Sequence, residues 1–251
     1  MPVRLEIRPL PPARNLVLRR HPLGWALLVI AGSMAGAQAP PAPTAPVPAP
    51  ARFVVVLDAA HGGDDLGGRI HDREGRGQAE KTFTLALSVR LRSLLQARGI
   101  QVVTTRESDA TVDLNRRAEV ANHANAQACL SLHASESGNG IHLFVSSMAP
   151  AQPTHFAAWK TAQGAWVTRS LALAGTLNSA LLHAGMTVTL GRTALLAVDS
   201  MTCPAVAVEI APERGPDKKV NAGLDDPDYQ ARVAEALAAA LLDWRSEARQ
   251  P

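Results

Sequence analysis

Four side chains that can bind a metal or move a proton lie at the ends of predicted secondary-structure elements. His61, His133 and Glu209 each follow or close a short apolar run that predicts a buried strand, and Glu80 begins the helix predicted after the first run. In open α/β sheets, ligands bind beyond the carboxyl ends of the strands. We therefore expect these four side chains to face one site.

This set of residue types predicts metal-assisted hydrolysis. Two neutral imidazoles and one carboxylate form a known hydrolytic zinc set, which leaves one position open for water. Bound zinc lowers the pKa of that water and polarises a carbonyl oxygen, and a further carboxylate can accept the water proton and pass it to a leaving amine. The spacing is no local signature of the HExxH kind, so on spacing alone a structural role for each histidine is the alternative.

The elements that must position these residues alternate between strands and helices. This alternation predicts an α/β fold, a three-layer sandwich in which helices flank a mostly parallel central sheet. A polar, glycine-rich loop is predicted between Gly62 and Ala79. The predicted strands are 53–57, 102–105, 129–132, 140–146, 194–198 and 205–210, and the predicted helices are 80–98, 114–124, 168–183 and 227–244.

Histidines outside this set are predicted to be structural or exposed. His142 alternates with Ile141 and Leu143 in a predicted strand, so it faces the opposite side of the sheet from those two residues. His71 is left open, because its loop lies between two of the candidate ligands. The other histidines are His21, His123, His155 and His183.

Cys129 and Cys203 both lie in apolar runs predicted as strands. The chain has no CxxC pair, which excludes a zinc knuckle. A disulfide requires close and well-aligned Cα positions, which a sequence cannot supply. We expect two buried free thiols, with a disulfide as the alternative.

The first 39 residues have the pattern of an export signal. A basic segment and the apolar run 23–31 precede small residues that favour cleavage after Ala35. The run is short for a membrane span, and an uncleaved N-terminal anchor is the alternative. Residues 40–51, rich in proline and alanine, predict an extended linker, which leaves 52–245 as the folded domain. We expect the protein to be periplasmic or secreted, and to meet a membrane only through a retained leader.

The positive charge of the chain is concentrated in this leader. The whole chain has a formal net charge of +3, while residues 1–39 contain five arginines and one glutamate, for a net charge of +4. The rest therefore carries a net charge of −1, and it has no positive field that would attract nucleic acid. Nucleic acid is not an expected partner.

In their order and spacing, seven short motifs resemble the zinc-dependent N-acetylmuramoyl-L-alanine amidases, the amidase-3 type of bacterial cell-wall enzyme, from about Phe53 to Trp244. The motifs are LDAAHGG (57–63), EK (80–81), TR (105–106), LNRR (114–117), AN (121–122), SLHA (131–134) and PAVAVEI (204–210). The resemblance implies that zinc is the cofactor and that Glu209 is the catalytic carboxylate. The implied zinc ligands are His61, Glu80 and His133. The implied reaction cleaves the amide between the lactyl group of N-acetylmuramic acid and the L-alanine of the stem peptide, with peptidoglycan as the substrate.

Three departures from the family pattern surround the site. Ala59 and Ala60 replace Pro-Gly before the first histidine, Ser135 replaces an asparagine after the second, and residues 211–215 differ from the usual Gly-Phe-x-x-Asn. Two alternatives therefore stay open, a non-catalytic peptidoglycan-binding or scaffold domain and a zinc peptidase with another amide substrate. Residues 146–168 show little helical periodicity, so we expect no long helix that plugs the site. The sequence identifies no activator protein.

Overall fold

The computed structural model describes residues 52–72, 74–152 and 159–248. The predicted leader and linker, residues 1–51, lie outside the described residues. The strands are β1 (Val54–Ala59), β2 (Arg69–His71), β3 (Gly77–Ala79), β4 (Gln101–Thr104), β5 (Ala128–Ala134), β6 (Ile141–Ser146), β7 (Val188–Thr193), β8 (Ala205–Ile210), β9 (Glu213–Arg214) and β10 (Val220–Ala222). The α-helices are α1 (Glu80–Gln96), α2 (Leu114–His123), α3 (Val167–His183) and α4 (Pro227–Glu247), with 3-10 helices at Trp159–Ala165 and Val198–Ser200. No helix in the described ranges combines the length and the apolarity needed to cross a lipid bilayer.

A six-stranded sheet forms the centre of the fold, in the order β4-β1-β5-β8-β6-β7. The first four strands are parallel, β6 runs antiparallel to β8, and β7 is parallel to β6. Strands β1 and β5 are buried on both faces, as their continuous apolar runs predict. The prediction of a mostly parallel central sheet is confirmed.

Helices cover both faces of the sheet, but unequally. Helices α1, α3 and α4 pack on one face over a large apolar core that includes Leu57, Leu132 and Val208. Helix α2 and the 3-10 helix Val198–Ser200 cover the other face over a smaller apolar cluster that includes Val56. These two sides are the core face and the site face of the sheet. The three-layer prediction is therefore confirmed.

Cys129 and Cys203 form a disulfide with a Cα–Cα distance of 6.3 Å. The expectation of two free thiols is therefore wrong. Parallel pairing of β5 with β8 places Cys129 opposite Ala205, and the Cys129 N–H donates to the Pro204 carbonyl. Cys203 lies two residues before β8 and not in a strand, contrary to the prediction. The two sulfur atoms meet because β5 and β8 are neighbours in the sheet. The sequence around each cysteine does not reveal that the two strands are neighbours.

One predicted strand is also wrong, because residues 194–198 instead form a turn that leads into the 3-10 helix Val198–Ser200. The strand precedes this turn as β7. Most residues of β7 are exposed at the edge of the sheet, so the strand lacks the apolar signal of a buried one. Two short hairpins, β2–β3 and β9–β10, lie in segments for which no strand is predicted.

Residues 146–168 contain, in their described part, a 3-10 helix before α3 begins. Gln163 in this 3-10 helix is fully buried, and its side chain donates to the carbonyls of Met201 and Cys203, just before β8. These contacts lie at the amino end of β8, whereas Glu209 lies near the carboxyl end. Residues 153–158 lie outside the described residues, so the absence of a long plugging helix stays a prediction.

Removal of the disulfide should destabilise the fold. The two cysteines are 74 residues apart, and loop-closure entropy predicts a loss of about 4 kcal/mol in the free energy of unfolding when both are changed to alanine. Urea unfolding of the Cys129→Ala/Cys203→Ala variant measures this loss. A reducing agent should lower the unfolding midpoint of the wild-type protein and leave that of the double variant unchanged. An unchanged free energy of unfolding in the double variant would contradict the stabilising role.

Candidate active site

His61, Glu80 and His133 converge at the edge of the sheet where β1 and β5 end. Nε2 of His61 lies 3.1 Å from Oε2 of Glu80, and Nδ1 of His133 lies 3.3 Å from Oε1 of the same carboxylate. One donor atom from each residue lies within 4.8 Å of the other two. Ligands of a tetrahedral zinc ion are spaced about 3.4 Å apart, so this donor cluster fits a four-coordinate metal ion with small adjustments. Within the described ranges, no other three side chains of these types come together in this way.

Glu80 lies between the two histidines because its carboxylate is held at both oxygens. The backbone N–H groups of Gly68 and Ala134 donate to Oε2 and Oε1 at 2.8 and 3.0 Å. Burial of the carboxyl opposes its ionisation, but the hydrogen bonds from His133, His61 and the two backbone groups outweigh that effect and hold the pKa of Glu80 well below its usual range. The side chain is therefore an ionised ligand fixed at the first residue of α1.

His61 occupies a left-handed backbone conformation directly after β1. Its φ is 62°, and Gly62 and Gly63 continue the turn with positive φ. Non-glycine residues adopt this conformation at a cost, and such residues cluster at functional sites. Ala59 and Ala60, which stand in place of Pro-Gly, have no positive φ. The turn is therefore made by His61 and the glycines, after the two substituted positions.

Gly67 allows the His61 ring and the Glu80 carboxylate to approach each other. Its φ is 66°, and a Cβ atom there would lie 2.5 Å from Cδ2 of His61 and 2.7 Å from Oε2 of Glu80. At the other ring nitrogen, Oδ2 of Asp65 lies 2.9 Å from Nδ1 and can fix the ring orientation. Hydrogen bonding to Glu80, opposed by burial and supported by Asp65, raises the pKa of His61. A metal ion and a proton therefore compete for this ring.

Asp58 organises the site from beneath, and the sequence motifs alone do not single it out. Arg117 and Thr105 donate to its Oδ1 at 2.6 and 2.7 Å, and the Ser131 hydroxyl donates to its Oδ2 at 2.8 Å. The same hydroxyl lies 3.3 Å from Nε2 of His133, so it links Asp58 to a candidate ligand. One sequence signal is available, because a carboxylate that closes an apolar strand requires partners when it is buried.

Two buried arginines hold the carbonyl groups around the turn. Arg117 donates to the carbonyls of Ala59 and His61, both at 2.7 Å. Arg106 donates to the carbonyls of Ala59 and Ala60 at 2.9 and 3.0 Å. The two guanidinium groups thus satisfy the acceptors of the turn and leave the His61 ring to face Glu80.

Glu209 lies beside His133 but outside the donor cluster. The two residues are paired in the parallel β5–β8 ladder, so their side chains project from the same face of strands about 4.8 Å apart. Val208 and Ile210 are fully buried on the core face, which places Glu209 on the site face. No described residue forms a hydrogen bond or ion pair with the Glu209 carboxylate.

A cavity of about 480 Å³ opens beside the donor cluster. The cavity is lined by residues 111–114 and by residues 194–198. Ser131, His133 and Ala207 line it from the central sheet. The cavity reaches His61 as well as His133, so a substrate in it could contact both candidate ligands.

The described histidines other than His61, His133 and His142 have hydrogen-bond partners away from the donor cluster. Nδ1 of His71 lies 3.0 Å from each carboxylate oxygen of Glu136, so this histidine does not join the donor cluster. Nδ1 atoms of His123 and His183 contact backbone carbonyls of their own helices. His21 and His155 lie outside the described residues.

The profile of the N-acetylmuramoyl-L-alanine amidase family matches residues 55–243. The chain belongs to this amidase family. The match spans all four predicted site residues. The catalytic domain of CwlV, an N-acetylmuramoyl-L-alanine amidase from Bacillus (Paenibacillus) polymyxa var. colistinus, is 26% identical and superposes with a TM-score of 0.60. That similarity covers 77% of this chain and 98% of the CwlV domain.

Other amidases of the family match over shorter stretches. The sporulation-specific N-acetylmuramoyl-L-alanine amidase of Bacillus subtilis (strain 168) is 36% identical over 86 residues, which are 34% of this chain and 32% of that protein. AmiC of Escherichia coli O6:H1 is 32% identical over 156 residues, which are 59% of this chain and 34% of AmiC. The chain therefore spans about a third of the length of these curated relatives.

Gly67→Ala should weaken metal binding at the donor cluster at least about tenfold, because the new methyl group displaces His61 or Glu80 from the cluster. Calorimetric titration with zinc measures the affinity. Gly99→Ala is the matched control, since Gly99 has a similar φ of 73° and an added Cβ there meets no atom within 4 Å. Both variants should lose a similar amount of stability from the left-handed backbone. Equal zinc affinity in the two variants would show that Gly67 does not shape the cluster.

Proposed function

We propose that this chain is an exported zinc amidase that hydrolyses the amide bond between N-acetylmuramic acid and L-alanine in peptidoglycan. The observation that carries the proposal is the convergence of three metal-ligating side chains with a carboxylate in the adjoining strand position. In this proposal His61, Glu80 and His133 hold zinc, and Glu209 is the catalytic carboxylate. Membership of the amidase family supports the substrate and the bond that is cleaved.

Zinc is the metal that the donor set suits best. Two imidazoles and one carboxylate are typical of hydrolytic zinc sites, in which three protein ligands leave a fourth position free. When bound, zinc supplies a water molecule of lowered pKa and polarises the carbonyl group of the scissile amide. Calcium and magnesium prefer sets of oxygen ligands, and this cluster offers two nitrogens for one carboxylate.

In this proposal Glu209 carries protons during hydrolysis. Its carboxylate has no partner among the described residues, and its pairing with His133 places it one strand from the donor cluster. In the proposed mechanism Glu209 accepts a proton from the attacking water and returns it to the amine of L-alanine as the C–N bond breaks. One carboxylate therefore acts first as a base and then as an acid.

The disulfide supports export. Disulfides persist in oxidising compartments such as the bacterial periplasm and are rare in the cytosol, and both cysteines here are buried beside the sheet. We assign residues 1–39 to a signal peptide or retained anchor, 40–51 to a spacer and 52–245 to the catalytic domain. Peptidoglycan lies outside the cytoplasm, so the proposed location and the proposed substrate agree.

Glu209→Gln should lower kcat about 10²–10⁴-fold, because the amide of glutamine cannot accept the proton. The zinc content should be unchanged, because residue 209 is not one of the proposed metal ligands. Cleavage of the lactyl amide in purified sacculi measures the rate, and elemental analysis measures the zinc. Glu235→Gln is the matched control, since Glu235 is exposed on α4 and should retain the wild-type rate when changed.

Equal rates for the wild type and Glu209→Gln would refute the mechanism. A wild-type protein that binds sacculi without cleaving them would favour the non-catalytic domain. Cleavage of other amides, with the lactyl amide left intact, would favour the zinc peptidase.

Removal of the metal should abolish the amidase activity, because no side chain in the cavity can replace the polarisation that zinc supplies. The protein is dialysed against a chelator, and the rate is then measured during stepwise addition of zinc. Activity should return as one zinc ion per chain is added, and magnesium should not restore it. Full activity in metal-free protein would contradict the zinc proposal.

A further inference from the structure

The site face of the sheet continues past Glu209 onto β6 and β7. Antiparallel pairing places His142 of β6 opposite Glu209, and His142 in turn pairs with Thr189 of β7. Because Glu209 also pairs with His133, these residues form one row across four neighbouring strands. The row leads from the donor cluster to the outer edge of the sheet.

His142 and Phe144 form an aromatic platform on this face. Their ring centroids are 6.4 Å apart and their planes differ by 21°, so the two rings are stacked nearly parallel to each other. Both residues are half-buried, whereas Ile141 and Leu143 are fully buried on the core face. Part of the platform is therefore open to solvent beside the proposed catalytic carboxylate.

Neighbouring groups fix the orientation of both rings. Phe144 lies over Gly191 of β7, where an added Cβ atom would be 3.3 Å from Cδ1 and Cε1 of the ring. Nε2 of His142 lies so close to Gly138 that a Cβ there would be 2.4 Å away, and Nδ1 of His142 is hydrogen-bonded with the Thr189 hydroxyl. A platform fixed in this way loses little conformational entropy when a ligand packs on it.

We propose that the aromatic platform binds a neutral sugar ring of the glycan strand, the N-acetylglucosamine next to the N-acetylmuramic acid whose amide is cleaved. This inference rests on the proposed function. The C–H groups on one side of a pyranose ring are apolar and pack well against an exposed aromatic ring. The platform begins one strand spacing, about 5 Å, beyond Glu209, which is close enough for a sugar attached to the cleaved unit to reach it.

Charge favours a sugar over the stem peptide as the occupant. The platform is bordered on the same face by Thr189, Gly191 and Ala207, which are uncharged. A stem peptide carries carboxylates, and these would lose hydration here, while the guanidinium of Arg214 near His142 already donates to the carbonyls of Gly138 and Glu136. The Glu209 carboxylate also repels them from this side. A neutral sugar ring meets neither penalty.

The test is the binding of a tetrasaccharide of N-acetylglucosamine, which carries no carboxylate, to the full chain, measured by calorimetry. Phe144→Ala should weaken the Kd about tenfold, the scale expected for the loss of one stacking ring. Gly191→Val should also weaken it, because the ring is kept but lifted from the sheet. Leu190→Ala is the matched control, since Leu190 is 50% exposed on the opposite face of the same strand and should leave the Kd unchanged.

Thermal unfolding verifies that each variant is folded, and free stem peptide serves as the second ligand. Equal tetrasaccharide affinity in the wild type and in folded Phe144→Ala would overturn the proposal, as would a loss confined to the stem peptide. Amidase activity of the wild type is measured in parallel. Phe144-dependent binding without amidase activity would refute the proposed function and support the platform, while activity with unchanged binding would refute the platform alone.

Discussion

The buried ion pair between Asp58 and Arg117 is the interaction on which the sheet edge and the site both depend. Nη1 of Arg117 lies 2.6 Å from Oδ1 of Asp58, and the two side chains are 5% and 2% exposed. Burying two charges is costly unless their remaining polar atoms are also satisfied. Here Thr105 and Ser131 donate to the carboxylate, and the arginine donates to backbone carbonyls of the turn. The pair is therefore fully satisfied only when β1, β5 and α2 are assembled.

Hydrogen bonds connect this ion pair to both candidate histidine ligands. Arg117 donates a hydrogen bond to the carbonyl of His61. This bond helps to stabilise the left-handed backbone conformation of His61, which a non-glycine residue adopts only at a cost. Ser131 connects Asp58 to His133 on the neighbouring strand. Glu80 then lies between two rings whose positions are already fixed, and backbone N–H groups hold its two oxygens. A donor cluster supported in this way is held in position by the protein's own hydrogen bonds.

The sequence predicts the local parts of this arrangement and not the parts that depend on strand neighbours. Continuous apolar runs identify β1, β5 and β8, and the polar residues at their ends include His61 and His133, which the structure brings together with Glu80. The disulfide depends on β5 lying beside β8, so no local pattern reveals it. Strand β7 lacks a pattern of buried residues because it lies at an edge of the sheet. Asp58 accepts hydrogen bonds from Thr105, Arg117 and Ser131, which lie far from it in the sequence. These features require the assembled sheet.

The reversal of strand direction at β6 explains why loops cover the site face beside the donor cluster and leave it partly exposed at β6. In the parallel part of the sheet, residues 111–114 and 194–198 rise over the site face beside the donor cluster. Because β6 is antiparallel to β8, its amino-terminal half, with His142 and Phe144, meets the edge where β8 ends. Helix α3 packs on β6 and β7 from the core face, which leaves these two rings half-exposed. Under the proposed function, a polymeric substrate would use this open side to continue beyond the unit being cleaved, so strand direction here bears directly on the size of substrate that can enter.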